Sequence, residues 1–396
     1  MNKTAQSQLS LIAIFLVFLA MGFGDAAGQL VSVVEKAFGI SPFAASLVSF
    51  AGMIMFGVLS IPMGVQQSKI GKKKMLTIGL IFFLLGAILP IVAFNFPVIL
   101  VAVLLMGAGA AILQVAGNPL MRDVSAEGKY SSNLSFAQAI KAIGTLSTSL
   151  IVSLMTIHLI NNQWFKLIAE NGESMNIGFR ILFPIFAIIL LITLILVIVF
   201  VPNKKMDGEQ PTTLANCMKA LGDPYILMMF FGIFFYCGAE ASMFNRIPSI
   251  LLENNPNIPS SVGNIVLIVS LFIGRLLGGI TLRFIKPNHF LWITLIISVI
   301  GNLFLFMPYN SITTWLSFLL IGIGFANIFP LIFSIAIDRK PQMSNEISGL
   351  MVTAIVGAAI VPLATGAAAN VNPKYAFIVT LICLGYIAFV AFKNKR

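Results

Sequence analysis

Charge is scarce in this chain. Lysine, arginine, aspartate and glutamate make up 9% of its 396 residues, against about 25% in soluble domains. With 59% hydrophobic residues and a mean hydropathy of +1.00, it cannot cover a core with polar surface, so a soluble domain is excluded. Only two histidines are present, His158 and His289. They fall at opposite ends of the apolar runs, so no histidine relay is visible. The three cysteines, Cys217, Cys237 and Cys383, show no metal-ligand spacing and no disulfide framework. No phosphate-cradling loop is present, which argues against ATP drive. No serine–histidine–aspartate set can be assembled. Neither an enzyme, a cofactor nor a metal is therefore expected. The short alternating segments of a transmembrane barrel are missing too. The net charge of +11 does not point to nucleic acid, because no basic segment stands apart from the apolar runs.

What the chain does have is a succession of apolar runs long enough to cross a bilayer. Twelve spans can be drawn, at about 9–34, 42–67, 75–95, 97–121, 133–158, 180–202, 224–252, 260–284, 289–308, 312–337, 345–368 and 374–392. Pro42, Pro97, Pro202, Pro224, Pro259 and Pro373 lie near their ends, where a missing N–H costs little. The first run is too long for the core of a cleaved signal peptide and is read as a retained membrane helix. An even number of spans puts both termini on one side. Seventeen of the 24 lysines and arginines fall on that side and four on the other, while Lys141, Arg246 and Arg275 lie within spans. The positive-inside rule then makes both termini cytoplasmic. A polar connection near the midpoint splits the spans six and six. The expected domains are 1–202, a six-helix bundle; 203–223, a cytoplasmic linker; and 224–396, a second six-helix bundle. The longest outer loop, 159–179, holds Trp164 and is read either as a cap on the outer mouth or as an ordinary solvated loop.

The halves look like a parallel repeat. Gly117-Asn118-Pro119-Leu120 closes span four, and Ile328-Phe329-Pro330-Leu331 falls late in span ten. Each is followed by a charged turn and a glycine-bearing span. The turn after span two runs from Gly64 through Lys69 and Gly71 to Lys72-Lys73-Lys74. It resembles the signature loop of the major facilitator superfamily, with Ser68 where that loop has an aspartate. Gly71 permits a tight turn, and the cations stay cytoplasmic. More narrowly, the chain resembles the fucose permease branch, the sugar–proton symporters. Gln114-Val115-Ala116-Gly117-Asn118-Pro119, Asn133-Leu134-Ser135-Phe136-Ala137-Gln138, Tyr236-Cys237-Gly238-Ala239-Glu240, Phe272-Ile273-Gly274-Arg275 and Phe329-Pro330-Leu331-Ile332-Phe333-Ser334 match its helices four, five, seven, eight and ten. The resemblance implies an all-α membrane protein, two six-helix bundles related by a parallel pseudo-repeat. It also implies a gating role for Gly64, Lys69, Gly71 and Lys72. Three departures matter. Gln114 stands where the family's helix-four glutamate is expected, Gly28 where its helix-one aspartate is expected, and Lys141 where it has an asparagine.

A charge inside a membrane costs a few kcal/mol and needs a partner, a cavity or a substrate. Five such charges lie well inside spans: Asp25, Lys141, Glu240, Arg246 and Arg275. Asp25, with Gln29 one turn on, reads as a proton carrier or sugar ligand, or as a static ion pair with Lys141. Lys141 pairs with Asp25 or recognises an anion. A buried lysine also titrates readily, so Asp25, Glu240 and Lys141 are the proton-coupling candidates. Glu240 shares a helix face with Tyr236 and Phe244, an arrangement that suits a sugar, though aromatics at this spacing also simply pack. Asn245 is a further candidate beside them. Gln114, Asn118, Gln138 and Asn327 can donate and accept to hydroxyls, and such amides equally serve as interhelical glue. Arg246 reads as snorkelling toward the outer interface. Arg275 reads as a structural pin for span eight.

The expected function is a secondary transporter that moves a monosaccharide or polyol across a bacterial inner membrane. It would act as a monomer with proton symport, by alternating access around a midplane site. Its expected partners are the sugar, protons and the lipid bilayer, with no nucleic acid. The alternatives are an organic-anion transporter or drug:proton antiporter on the same fold, or a non-transporting membrane sensor.

Overall fold

The structure, a computed structural model, describes residues 3–25, 34, 38–161, 174–202, 212–254, 261–307 and 311–394. Among these residues all regular structure is helical. The helices of the first half are α1 (Lys3–Asp25), α2 (Pro42–Ile70), α3 (Lys72–Val92), α4 (Phe96–Val124), α5 (Tyr130–Asn161) and α6 (Ser174–Phe200). A short helix follows, α7 (Leu214–Leu221). The second half holds α8 (Pro224–Asn254), α9 (Ser261–Thr281), α10 (Pro287–Phe304), α11 (Ser311–Phe325), α12 (Ile328–Arg339), α13 (Ser344–Thr353), α14 (Gly357–Val371) and α15 (Tyr375–Lys393). Ten spans among the described residues are long and apolar enough to cross a membrane, and two of them each hold two helices: Ile312–Arg339 covers α11 and α12, and Pro341–Val371 covers α13 and α14.

The helix ends follow local chemistry. Ser41 caps α2 by accepting a hydrogen bond from the Ala44 N–H at 3.3 Å. Gly71 then turns the chain into α3 with φ +88°, a region where a β-carbon is strained. The expected linker, 203–223, contains α7, capped by Thr213, whose hydroxyl accepts from the Asn216 N–H at 3.2 Å. Asp223 starts α8 by accepting from the Tyr225 and Ile226 N–H groups at 2.9 and 3.3 Å. Lys340 also donates to Asp223. That bond, chiefly, holds the Asp223 carboxyl below the usual carboxylate range.

Many helices are apolar on both faces. α3 buries Met75, Leu76, Leu80 and Phe83 while exposing Ile81, Leu85, Ile88 and Ile91. A soluble protein rarely exposes so continuous an apolar surface. Here it suits lipid.

The chain divides into two compact units, residues 1–117 with 143–205, and 118–142 with 206–396. In the first, α6 packs on α1 and α3. Phe23 and Phe186 stack at 4.0 Å between ring centres, and the Thr145 hydroxyl ties α5 to the Gly22 carbonyl of α1 at 3.2 Å. In the second, α8 packs on α14 and α15, and α11 packs on α9 and α10. Thr380 of α15 donates to Asn302 of α10 at 2.9 Å. The C-terminal ends of α12 and α15 meet the start of α8, where the Arg339 guanidinium lies 4.3 Å from the centre of the Tyr225 ring and the Tyr225 hydroxyl reaches Asn394 at 3.1 Å.

The expected tenth span is a broken helix, with a turn at Ala326 and Asn327 between α11 and α12. A break frees backbone carbonyls, and in a membrane these need internal partners. Arg275 of α9 supplies one, donating from Nε to the Ala326 carbonyl at 3.3 Å. Asn327 returns the link by donating from Nδ2 to the Gly274 carbonyl at 2.7 Å.

Candidate functional site

The second unit gathers most of the candidate residues. α8 carries Tyr236 and Glu240 one turn apart, and the Tyr236 hydroxyl donates to Glu240 Oε1 at 2.9 Å. Tyr236 is buried, with its ring centre 6.0 Å from Phe325 and 6.5 Å from Phe329. Arg275 reaches the same carboxyl oxygen from α9, with Nη2 at 3.6 Å. The Arg275 and Glu240 side chains are 12% and 22% exposed, so this charge pair is largely removed from the surroundings. Its other amino group, Nη1, donates to the Gln138 carbonyl of α5 at 3.3 Å. Arg275, expected as a structural pin, is thus both a pin for the break and the partner of Glu240.

The same unit also holds amides with spare hydrogen-bonding capacity. Asn118 is fully buried, and neither atom of its amide has a partner. Its backbone carbonyl accepts from the Tyr130 hydroxyl at 3.1 Å. Gln138 Nε2 and Asn327 Oδ1 are likewise buried and unbonded. Buried polar atoms without partners are rare, and each costs about 1–3 kcal/mol. A ligand rich in hydroxyls would satisfy them.

The remaining candidates are more dispersed. Lys141 is buried, at 8% exposed, one turn beyond Gln138. Gln114 is buried in α4 and belongs to the first unit. Phe244 is half-buried, while Asn245 is exposed and off the Glu240 face. Arg246 is half-buried, with its Nε unbonded. In the signature loop, Gly64 and Lys69 lie in α2 and Gly71 in the turn, and Lys72 is buried at the start of α3. The Asp25 side chain and Gln29 lie outside the described residues.

Sequence reasoning missed a second group. Segment 118–142 comes from the first half of the chain but clusters with the second unit. Arg122 pairs with Asp338 at 3.1 Å. The Ser131 hydroxyl donates to Ser334 at 2.8 Å and the Ser132 hydroxyl to the Gly279 carbonyl at 2.6 Å. The Arg283 guanidinium lies 5.3 Å from the Phe136 ring centre. The one signal available was the repeat itself, which places Arg122 and Asp338 at equivalent ends of spans four and ten.

The sequence model of the Major Facilitator Superfamily matches residues 11–362. This chain belongs to the Major Facilitator Superfamily. Among curated relatives, a glucose/galactose transporter of Brucella abortus biovar 1 (strain 9-941) is 27% identical over 394 residues, covering 96% of this chain and 92% of its own. A putative glucose/galactose transporter of Helicobacter pylori (strain ATCC 700392 / 26695) is 27% identical over 415 residues, covering 100% and 99%. Among solved structures, that of the E. coli fucose:proton symporter FucP superposes with a TM-score of 0.81 at 19% identity, covering 98% of both chains. That likeness fixes the major facilitator fold. Membership accounts for the apolar spans and makes the chain an integral, multi-pass membrane protein and not an enzyme.

Proposed function

We propose that this chain is a sugar–proton symporter that moves a hexose of the glucose, galactose or fucose type by alternating access. The observation that carries this reading is the Tyr236–Glu240–Arg275 constellation: a carboxyl held inside a span by a phenol and a guanidinium. The names of the relatives supply the substrate class. Glu240 is the proton site. Ionised, it is balanced by Arg275; protonated, it becomes neutral and can also donate. A carboxyl that changes charge within a membrane alters the cost of each carrier state by several kcal/mol, and this difference ties proton binding to substrate movement. Asn118, Gln138 and Asn327 are the hydroxyl-binding groups of this unit, with Tyr236 and Phe244 offering aromatic faces. Gln114, Asp25, Gln29, Lys141 and Asn245 complete the candidate set. The termini are placed in the cytoplasm of a bacterial inner-membrane protein acting as a monomer, in keeping with the charge bias of its loops.

An anion transporter would need an uncommitted cation. Arg275 is engaged by a carboxylate and two carbonyls, which weighs against that use of it. The test is uptake of labelled glucose, galactose and fucose into proteoliposomes under an imposed inward proton gradient. Accumulation that collapses with an uncoupler and is competed by sugars but not by organic acids supports the reading. Competition by acids alone, or no flux, overturns it.

A further inference from the structure

We infer that Arg275 is a positioning residue that passes the protonation state of Glu240 to α5. The inference rests on the reading of Glu240 as the proton site. A guanidinium is a planar fork whose donors cannot be re-aimed independently. In Arg275 the fork spans three elements: Nη2 faces Glu240 of α8, Nη1 holds the Gln138 carbonyl of α5, and Nε holds the Ala326 carbonyl at the break between α11 and α12. What moves the carboxyl contact therefore moves the other two.

The sign of the effect follows from charge. While Glu240 is ionised, the Arg275 cation is balanced, and the fork rests on both carbonyls. Once Glu240 takes up a proton, Arg275 is a buried cation facing only neutral dipoles, and breaking one partner of a buried pair is strongly destabilising. The strain falls on the grip of α9 on α5. That grip is the innermost of a series along segment 118–142, whose other members are Ser132 on the Gly279 carbonyl, Ser131 on Ser334 and Arg122 on Asp338. Protonation loosens the series from its Glu240 end.

The groups that could compete for this role are few among the described residues. Tyr236 and Cys237 lie within one turn of Glu240 on α8, while Tyr225, Arg246 and Glu253 lie farther along it; on α5, Lys141 is one turn beyond Gln138 and Tyr130 is at the helix start. Of the helices packed on α8, α11 and α14 contain no titratable residue. α12 carries Asp338 and Arg339 only at its far end, α13 carries Glu346 near its start, and α7 carries Cys217 and Lys219. Of the titratable groups on α15, Tyr386 lies against Phe235 and the Met228 carbonyl, Cys383 is buried, and Tyr375 and Lys393 lie at the helix ends. Arg275 is the one charged group placed on Glu240 by α9.

Hydrogen exchange of peptide 130–142 in the purified transporter, measured at two pH values with Arg275→Gln, Arg275→Lys and Glu240→Gln beside the unaltered protein, tests this. Each rate is taken relative to the intrinsic, base-catalysed amide exchange rate at the same pH; on that scale the protection of the peptide in the unaltered protein falls at the lower pH by at least about fivefold, the low end of factors for coupled sites. Glu240→Gln is fast at both pH values, Arg275→Gln is fast and independent of pH, the double variant adds nothing further, and Arg275→Lys falls between. A pH response that survives in Arg275→Gln overturns the inference, even where Glu240→Gln abolishes uphill uptake and the proton-site reading stands. Uphill uptake undiminished in Glu240→Gln overturns that reading itself. Thermal melts of each variant, run in parallel, separate unfolding from released segment contacts: uniform acceleration across all peptides with a lowered melting temperature counts as unfolding and against the inference.

Discussion

At the scale of single residues, charge identity was legible in the sequence but pairing was not. Glu240 and Arg275 stood out because each is costly inside a span, yet nothing in the spacing said that they share an oxygen with Tyr236. The helical register gave Tyr236 and Glu240 a common face, and the structure turns that face into a hydrogen bond. What Arg275 holds was not legible, because a span read as one straight helix offers no free carbonyl to explain an arginine. A second residue-scale consequence concerns Cys217. It is fully buried on α7, and burial, with the Glu346 charge adding to it, pushes its thiol up to about 11. A thiolate is the reactive form. Alkylation of Cys217 by a maleimide in the folded protein at pH 7.5 is therefore expected to be slower than in the SDS-unfolded chain by about two orders of magnitude, in keeping with the raised thiol and the lost access. Mass-spectrometric labelling time courses check this. Because the unfolded thiol ionises first, docking of α7 weakens as pH rises past the ordinary thiol value. Rapid labelling of the folded protein at pH 7.5 would show α7 to be undocked.

At the scale of elements, the apolar runs were plain, because nothing but lipid or a second helix can cover them. The breaks were not. Ala326 and Asn327 are ordinary residues for a helix interior, and their turn exists because Arg275 and Gly274 answer the freed groups, a tertiary fact that no local pattern encodes. The same holds for the 3₁₀ turn Ala354–Val356 that separates α13 from α14. Close helix crossings are likewise invisible until partners are known. Gly357 meets α8 so closely that a β-carbon there would lie 2.0 Å from the Phe234 carbonyl oxygen. Because that atom is backbone, the two helices must separate. Gly357→Ala is expected to cost about 1–3 kcal/mol, as for other overpacked sites, and to lower the thermal unfolding temperature of purified protein. Gly366→Ala, on the same helix with open space around it, is the control and should leave it unchanged. Equal melting of the two variants would contradict the packing.

At the scale of the whole molecule, the fold was legible almost entirely from hydropathy, loop charge and the motifs at Gly117–Pro119, Tyr236–Glu240 and Phe329–Ser334. These depend on the membrane as solvent, which acts on every span alike. The site was legible only as a set of candidates. A transport site is assembled from single residues on many helices, and rotation of any one helix by a residue would redirect its side chain by about 100°. The sequence was informative where it departed from its relatives' pattern. With Gln114 in place of a glutamate and Gly28 in place of an aspartate, the proposed symport assigns the proton to Glu240, where an ionisable group and its counter-ion meet. The most direct test is the external pH of a weakly buffered proteoliposome suspension as sugar is added. The account predicts that galactose or another transported hexose makes the medium more alkaline at once, and that Glu240→Gln abolishes this change while still binding the sugar. Sugar uptake with no proton movement, or an undiminished pH change in Glu240→Gln, would contradict it.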